Sequence, residues 1–311
     1  MCPAGVPLGA YGQVARLVDG RRLRGMGLAL RHDSRQYEPP ETPDPDLLDP
    51  VQTPYESVTD AFERLRRLER RLRERGDRRA VFLTIYTRMT ERIEARIDRG
   101  GFRDPAWMRA YTTAFANYYR RAFLAFERGE TGAVPDPWLV AFGTALRGDA
   151  LVVQDALLGI NAHINYDLAL TLRDVGIDPD RAAKRADHRA VDEVLARLVD
   201  VQQTVLADVY AAGIDDIDEG LGRFDERLSL LGLAEGRAQA WRVAVVLTDV
   251  GWPPVASFAR WVLRATATGG AVFVRNPGLA PTVLDRLRRL EREGVDTDRV
   301  LATLGTALDD A

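Results

Sequence analysis

The sequence predicts an all-α protein, a multi-helix bundle around a buried central helix, and three observations lead to that class. From Ser57 onward apolar residues recur three and four positions apart, which is the period of an amphipathic helix. Prolines and glycines fall between these periodic segments rather than inside them. Residues 149–172 are apolar nearly all round, as expected of a helix in the middle of a bundle.

Composition narrows the class of protein further. The chain has 311 residues, 46% of them apolar, which is enough for a sizeable core, and a net charge of -3 that does not favour polyanions. Cys2 is the single cysteine, so an intramolecular disulfide is excluded and a reducing compartment is favoured. The sequence shows no signal-peptide pattern and no apolar run that approaches the ~18 residues of a membrane span. We therefore expect a cytoplasmic protein with no membrane span and no nucleic-acid partner.

Residues 1–55 differ from the rest of the chain and are predicted to form an irregular, proline-rich N-terminal segment. Residues 39–45 are rich in proline and acidic side chains, which is typical of an extended loop. The part before them could hold a hairpin or be partly disordered. Residues 56–311 are predicted to form the helical domain.

The helical period then predicts the elements of that domain in order. Ser57 opens the first helix and Gly76 ends it; its many arginines interleave with glutamates, which favours a solvated face over a nucleic-acid patch. Further helices are expected at about 81–99, 106–128, 136–146, 149–174, 187–212, 218–230, 235–249, 253–267, 280–293 and 297–308. Residues 269–277 are predicted to be a strand or an ordered loop.

The central helix carries polar side chains where an apolar surface is expected. His163 and Asp167, four residues apart, share one face, and the opposite face carries Gln154, Asn161 and Asn165. A buried amide without a partner costs on the order of 1–3 kcal/mol, and an unpaired carboxylate costs more. These side chains must therefore be hydrogen-bonded, paired or bound to a metal ion.

The next helix repeats the His-x-x-x-Asp spacing in His188 and Asp192, with Asp187 near its N-terminus. If the two helices fold back on one another, the pairs could face each other. Imidazole and carboxylate are ligands of divalent transition metals such as Zn, Mn or Fe, and helix pairs hold such sites. The alternative is a structural His–Asp pair on the central helix and a capped helix N-terminus at Asp187.

Residues 158–168 resemble the hallmark of the DUF5995 family, a Gly-x-Asn-Ala-His-Ile-Asn-x-Asp-Leu pattern. Flanking segments agree with that family in order, and the resemblance covers about residues 54–250; the segments are 82–90, 115–119, 138–142 and Trp241-Arg242. The resemblance implies a helical fold and assigns site positions, with no established activity; they are Asn161, His163, Asn165, Asp167 and, more weakly, Asn117. The chain departs from the family pattern at Asp192, where the family has Asn, and at His188.

Two hypotheses about function follow. The first is a metal-dependent enzyme, hydrolase or oxygenase-like, with catalytic residues His163, Asp167, Asn161 and Asn165 and metal ligands His163, Asp167, Asp187, Asp192 and His188. The second is a non-catalytic helical protein that binds a small apolar molecule or a partner, with the same His, Asn and Asp side chains as a structural polar core. Phosphate-binding loops, serine-hydrolase elbows and zinc-finger spacings are absent from the sequence. A homo-oligomer is left open.

Overall fold

The computed structural model describes residues 17–195, 233–250, 252–277 and 281–294, together with Gly12 and Val14. Within these ranges the chain forms helices and contains no strand, which confirms the predicted all-α class. The predicted helices 218–230 and 297–308 lie outside the described residues.

Helices of eight residues or more are numbered here in chain order. They are α1 Gly20–Leu30, α2 Val58–Glu74, α3 Ala80–Asp98, α4 Pro105–Glu127, α5 Asp136–Arg147, α6 Val152–Ala162, α7 Leu168–Val175, α8 (residues 181–195), α9 Leu233–Asp249, α10 Pro253–Arg275 and α11 Pro281–Gly294. A π-helical turn, His163–Asp167, joins α6 to α7, so residues 152–175 form one continuous helical rod.

Several helix boundaries follow from capping residues. The Ser57 hydroxyl accepts the amide hydrogen of Asp60 and caps α2, as the sequence predicts. Asp104 caps α4 in the same way through the amide of Trp107, and Pro105 stands at the first helical position. Gly148 ends α5 with φ +62°, a left-handed conformation that glycine adopts without strain.

The rod formed by α6 and α7 lies at the centre of the bundle. Helices α3, α4, α5, α9 and α10 all pack against it, and apolar side chains such as Leu158, Leu168 and Leu172 are completely buried there. A helix enclosed on all sides has no face for water, which explains why residues 149–172 are apolar nearly all round. The predicted buried central helix is confirmed.

The segment before α2 differs in detail from the irregular chain that the sequence indicates. Asp19 accepts the amide hydrogen of Arg22 and starts helix α1, so residues 20–30 form neither a hairpin nor a loop. After α1 the chain sends Tyr37, Leu47, Val51 and Tyr55 into the core. This segment is therefore packed into the helical bundle over residues 17–55.

The expected strand or loop at 269–277 is wrong, because α10 continues to Arg275. Gly269 and Gly270 look like helix breakers in the sequence, yet each lies where another group comes very close. A Cβ on Gly269 would be 1.9 Å from the carbonyl oxygen of Gly25 in α1. The two glycines thus permit close packing inside a helix, at an intrinsic cost of about 1 kcal/mol each.

Candidate functional site

The π-helical turn carries three of the four hallmark polar side chains of the central rod. In this turn the amide of Leu168 donates to the carbonyl oxygen of His163, five residues back, instead of four. Such a turn inserts one residue into a helix and is often found at functional sites, since it changes the direction of the side chains it carries. His163, Asn165 and Asp167 all lie within it.

His163 and Asp167 form a buried hydrogen-bonded pair with a third member that the sequence does not single out. The Nδ1 atom of His163 is 2.9 Å from Oδ2 of Asp167, and the indole nitrogen of Trp138 donates to the same oxygen at 2.8 Å. Both His163 and Asp167 are 1% exposed. A carboxylate oxygen that already takes the Trp138 hydrogen is best satisfied by a second donor, which places the imidazole proton on Nδ1.

Burial sets the protonation of this pair. Desolvation lowers the pKa of His163, and the Asp167 carboxylate beside it only partly offsets that effect. Desolvation raises the pKa of Asp167, and the hydrogen bonds from His163 and Trp138 oppose the rise. The imidazole is therefore neutral near pH 7, with its Nε2 atom as a hydrogen-bond acceptor.

Aromatic rings enclose the His163 imidazole. Phe115 stacks on it with ring centroids 3.5 Å apart, and the edge of Tyr86 meets it at 4.5 Å. The Nε2 atom is buried and, among the described residues, has no hydrogen-bond partner. The Nδ1 atom of His163 is thus hydrogen-bonded to Asp167, whereas its Nε2 atom is a buried acceptor among aromatic side chains.

The opposite face of the rod carries the two asparagines, as the helical spacing predicts. The side-chain amide of Asn165 donates to Oδ1 of Asn161 at 3.0 Å, and the amide of Asn161 donates to the carbonyl oxygen of Ala267 at 2.8 Å. A Cβ on Gly236 would be 2.3 Å from Oδ1 of Asn165, and a Cβ on Gly270 would be 2.5 Å from Oδ1 of Asn161. Glycine at both positions lets α9 and α10 approach these amides.

Asn161 and Asn165 line a cavity of about 230 Å³, which we call the amide cavity. It lies between the rod and helices α1, α9 and α10, and its lining is mostly apolar, with Leu28, Val262, Leu263 and Phe273. Polar side chains also contribute to it: Arg22, Arg24, Glu235 and Gln239. The asparagine pair therefore belongs to an open site, whereas His163 and Asp167 belong to the closed core.

Asp187 has a structural environment of its own, away from the central rod's polar pair. Its carboxylate accepts the backbone amides of Arg103 at 2.8 Å and Asp104 at 2.7 Å, just before α4. The sequence predicts Asp187 near the N-terminus of its own helix, but residues 181–195 are already helical. Asp187 therefore accepts backbone hydrogen bonds just before α4 and does not cap its own helix.

His188 and Asp192 share one cation, the guanidinium of Arg237. This fully buried side chain donates to the Asp192 carboxylate and to the backbone carbonyl of His188. The Nε2 atom of His188 lies 3.1 Å from the carbonyl oxygen of Arg237, and Nδ1 lies 3.0 Å from the Tyr111 hydroxyl. A carbonyl can only accept, so His188 carries its proton on Nε2 and accepts from Tyr111.

The five predicted metal ligands do not converge. Among the described residues, no three His, Cys, Asp or Glu side chains come together as a metal site would require. His163 and Asp167 bond to each other, and Arg237 occupies the position between His188 and Asp192 that a bound cation would take. The donor set therefore does not fit the expected transition metal.

Other sequence-based assignments are resolved by the contacts. Asn117 bonds to both the amide and the carbonyl of Tyr55, at 2.9 Å each, so it fixes the N-terminal segment to α4. The guanidinium of Arg121 lies 4.1 Å from the ring centre of Tyr118. Trp138 and Arg237 were missed because an indole and an arginine carry no spacing signal that ties them to a distant partner.

The fold and this site define a class of protein: an all-α bundle whose polar central rod joins a closed aromatic core to an open cavity. The family model described as a family of unknown function, DUF5995, matches residues 58–277. The chain therefore belongs to the DUF5995 family, as the resemblance of residues 158–168 implies. Comparisons with curated proteins and with solved structures give no match. Within the described ranges, no helix has the length and apolar character needed to cross a membrane.

Proposed function

We propose that this protein binds a small, mostly apolar molecule that carries one hydrogen-bonding group, and that the amide cavity holds it. The observation that supports this proposal best is the pair Asn161–Asn165, whose amides line an otherwise largely apolar cavity. Ligand sites commonly combine an apolar lining with a few placed polar groups. An apolar cavity of about 150 Å³ accepts benzene, so 230 Å³ suits a somewhat larger molecule.

Asn165 is the polar contact that we assign to the ligand. Its side chain is half-buried, and one of its two amide hydrogens is used by Asn161. The second amide hydrogen of Asn165 is left for a hydroxyl, carbonyl or carboxylate of the ligand. Asn161 holds this amide in place through its own bond to Ala267.

Binding is favoured over the metal-dependent reaction because of how the polar groups are used. A metal site needs several free donors, but the Nδ1 atom of His163, the Asp167 carboxylate, His188 and Asp192 are engaged by other protein groups. The Nε2 atom of His163 has no partner among the described residues, but a single donor does not make a metal site. In the amide cavity, by contrast, a polar group is placed against apolar surface that a ligand could cover.

A pair of matched variants tests this proposal. Leu28 lines the cavity and is 37% exposed, whereas Leu30 on the same helix is 74% exposed and does not line it. Leu28→Trp should fill the cavity and remove binding of naphthol measured by ligand-observed NMR, while Leu30→Trp should retain it. Asn165→Leu should weaken naphthol about tenfold but leave naphthalene nearly unchanged, since only naphthol offers a hydroxyl. Naphthol binding that is unchanged in both Leu28→Trp and Asn165→Leu would exclude the amide cavity as the site.

A further inference from the structure

A second cleft, separate from the amide cavity, lies between α8 and α9. Its volume is about 760 Å³, and four arginines line it: Arg181, Arg185, Arg189 and Arg242. The chain as a whole has a net charge of -3, whereas this cleft gathers four guanidinium groups. We call it the arginine cleft.

Carboxylates of the described residues neutralise two of these four arginines. Arg181 pairs with Asp178 and Asp249, and Arg242 pairs with Glu235. For Arg185 and Arg189, no carboxylate of the described chain lies within ion-pair distance. The carboxylate of Asp192 also lines the cleft, but it is held by Arg237. Within the described part of the chain, Arg185 and Arg189 are therefore the two cleft arginines without a carboxylate partner.

The two unpaired arginines are placed to act together. Arg185 and Arg189 are four residues apart on α8, so they lie one helical turn apart on the same face. Both side chains are exposed. Two guanidinium groups at this spacing can donate from both sides to the oxygens of one anionic group.

The rest of the cleft offers room and an apolar surface. Four of its lining residues are alanines, which leave space between the helices: Ala182, Ala186, Ala234 and Ala238. Trp241 and Val245 also line it, and the indole of Trp241 lies 5.4 Å from the His188 ring. An aromatic or aliphatic body can cover this surface while its charged end reaches the arginines.

The arginines of the cleft also affect the pKa of His188, which lines the cleft. Burial lowers the pKa of His188 most strongly, and the cations Arg237, Arg189 and Arg185 lower it further. With Nε2–H donated to the Arg237 carbonyl, the imidazole stays neutral and contributes no charge to the cleft. The charge available to a ligand is therefore that of Arg185 and Arg189.

We propose that the arginine cleft binds a small organic anion, with its phosphate, sulfonate or carboxylate group between Arg185 and Arg189 and its apolar body against Trp241. The residues that line this cleft differ from those that line the amide cavity, to which we assign a different ligand. The assignment gives the protein a second, charge-selective binding site.

Calorimetric titration of the full chain with naphthyl phosphate, naphthalenesulfonate and naphthoate tests the assignment. We expect saturable binding of at least one of them, weakened about tenfold or more in Arg185→Gln/Arg189→Gln. The matched control is Arg66→Gln/Arg70→Gln, which removes the same charge at the same spacing from exposed positions of α2. The control should bind the anion as the wild type does.

Two outcomes would overturn the assignment. Anion binding that is weakened equally in the two double variants would mean non-specific attraction to the protein's positive charge. The absence of saturable binding for all three anions would mean that the cleft is not an anion site. Neutral naphthol separates this result from the proposed function, because its binding depends on Leu28 and should not respond to the arginine replacements. Circular dichroism of each variant confirms that it is folded.

Discussion

At the scale of single residues, the polar pair of the central rod is a costly arrangement that persists because the Asp167 carboxylate has hydrogen-bond donors. Breaking a buried ion or hydrogen-bond pair by removing one partner is strongly destabilising, since the other is left uncompensated. Asp167 has two donors, the Trp138 indole and the His163 imidazole. The stability of the core should therefore depend sharply on His163.

We predict that His163→Phe lowers the free energy of unfolding by about 3–5 kcal/mol near pH 8, since the ring volume is kept but Asp167 loses a donor. The loss should shrink as the pH falls towards about 5. In the wild type the pKa of His163 is lower in the folded chain than in the unfolded chain, where it is near 6.5. Below that pH the unfolded chain therefore binds more protons, and acid destabilises the folded wild type. In the variant the pKa of Asp167 rises further, so the folded chain binds the extra proton.

Both effects have the same sign, so urea unfolding at the two pH values measures their sum. The double variant His163→Phe/Asp167→Asn provides the control, because a neutral amide oxygen can still accept from Trp138 without a buried charge. It should be more stable than His163→Phe near pH 8. A free-energy difference between wild type and His163→Phe that does not change with pH would contradict this account.

Sequence spacing predicts some of these residue contacts and not others. The i,i+4 bonds His163–Asp167 and Asn165–Asn161 follow from the period of one helix, which is a local property. The Trp138 donor lies 29 residues away from Asp167 in the sequence, and the Arg237 donor lies 45 residues from Asp192. Contacts of that kind depend on how helices pack, and a single sequence does not encode them as a readable spacing.

At the scale of elements, helix α10 shows why glycine positions mislead a sequence-based prediction. Gly269 and Gly270 suggest a break at residues 269–277, whereas α10 continues through them. Their role is close packing against Gly25 and Asn161. The π-helical turn is likewise invisible in the hydrophobic period, because one extra residue within one turn shifts that period very little.

Gly159 in α6 allows a prediction about such packing. A Cβ at this position would lie 2.3–2.6 Å from atoms of the Phe82 side chain, which itself packs against Trp138 and His163. Gly159→Ala should therefore destabilise the protein by about 1–3 kcal/mol despite the better helix propensity of alanine. Chemical denaturation followed by circular dichroism measures this change.

Gly27→Ala is the matched control for that substitution. Gly27 also lies inside a helix, but a Cβ there would meet nothing within 4 Å. The same change should therefore leave stability unaltered or raise it by about 0.5–1 kcal/mol. In a Phe82→Leu background the cost of Gly159→Ala should fall; an unchanged cost would show that the Phe82 ring is not what the new methyl group meets.

At the scale of the whole molecule, helix α1 links the N-terminal segment to the part of the chain that defines the family. The family match begins at residue 58, so α1 lies before it. Nevertheless α1 supplies one wall of the amide cavity, and Arg22 of α1 pairs with Glu235 of α9. The proposed binding site thus combines hallmark asparagines with an element outside the matched range.

The crossing of α1 and α10 should therefore control whether this wall stays in place. A Cβ on Gly269 would meet the backbone of Gly25 at 1.9–2.6 Å, and a backbone cannot turn aside as a side chain can. Gly269→Ala must therefore move α1 away from α10, with an expected cost of about 1–3 kcal/mol in local stability. Opening of α1 should then be about fivefold or more frequent than in the wild type.

Limited trypsin digestion measures that opening, because α1 is rich in arginine and becomes cleavable only when it separates from the bundle. We expect faster cleavage within residues 20–31 and loss of naphthol binding in Gly269→Ala, while cleavage elsewhere in the chain proceeds at the wild-type rate. Gly27→Ala should show neither change, since its methyl group projects into open space on the same helix. Cleavage of α1 at the wild-type rate in Gly269→Ala would mean that the contact between Gly25 and Gly269 does not hold α1 against α10. The cavity wall would then depend on other contacts, such as the ion pair Arg22–Glu235.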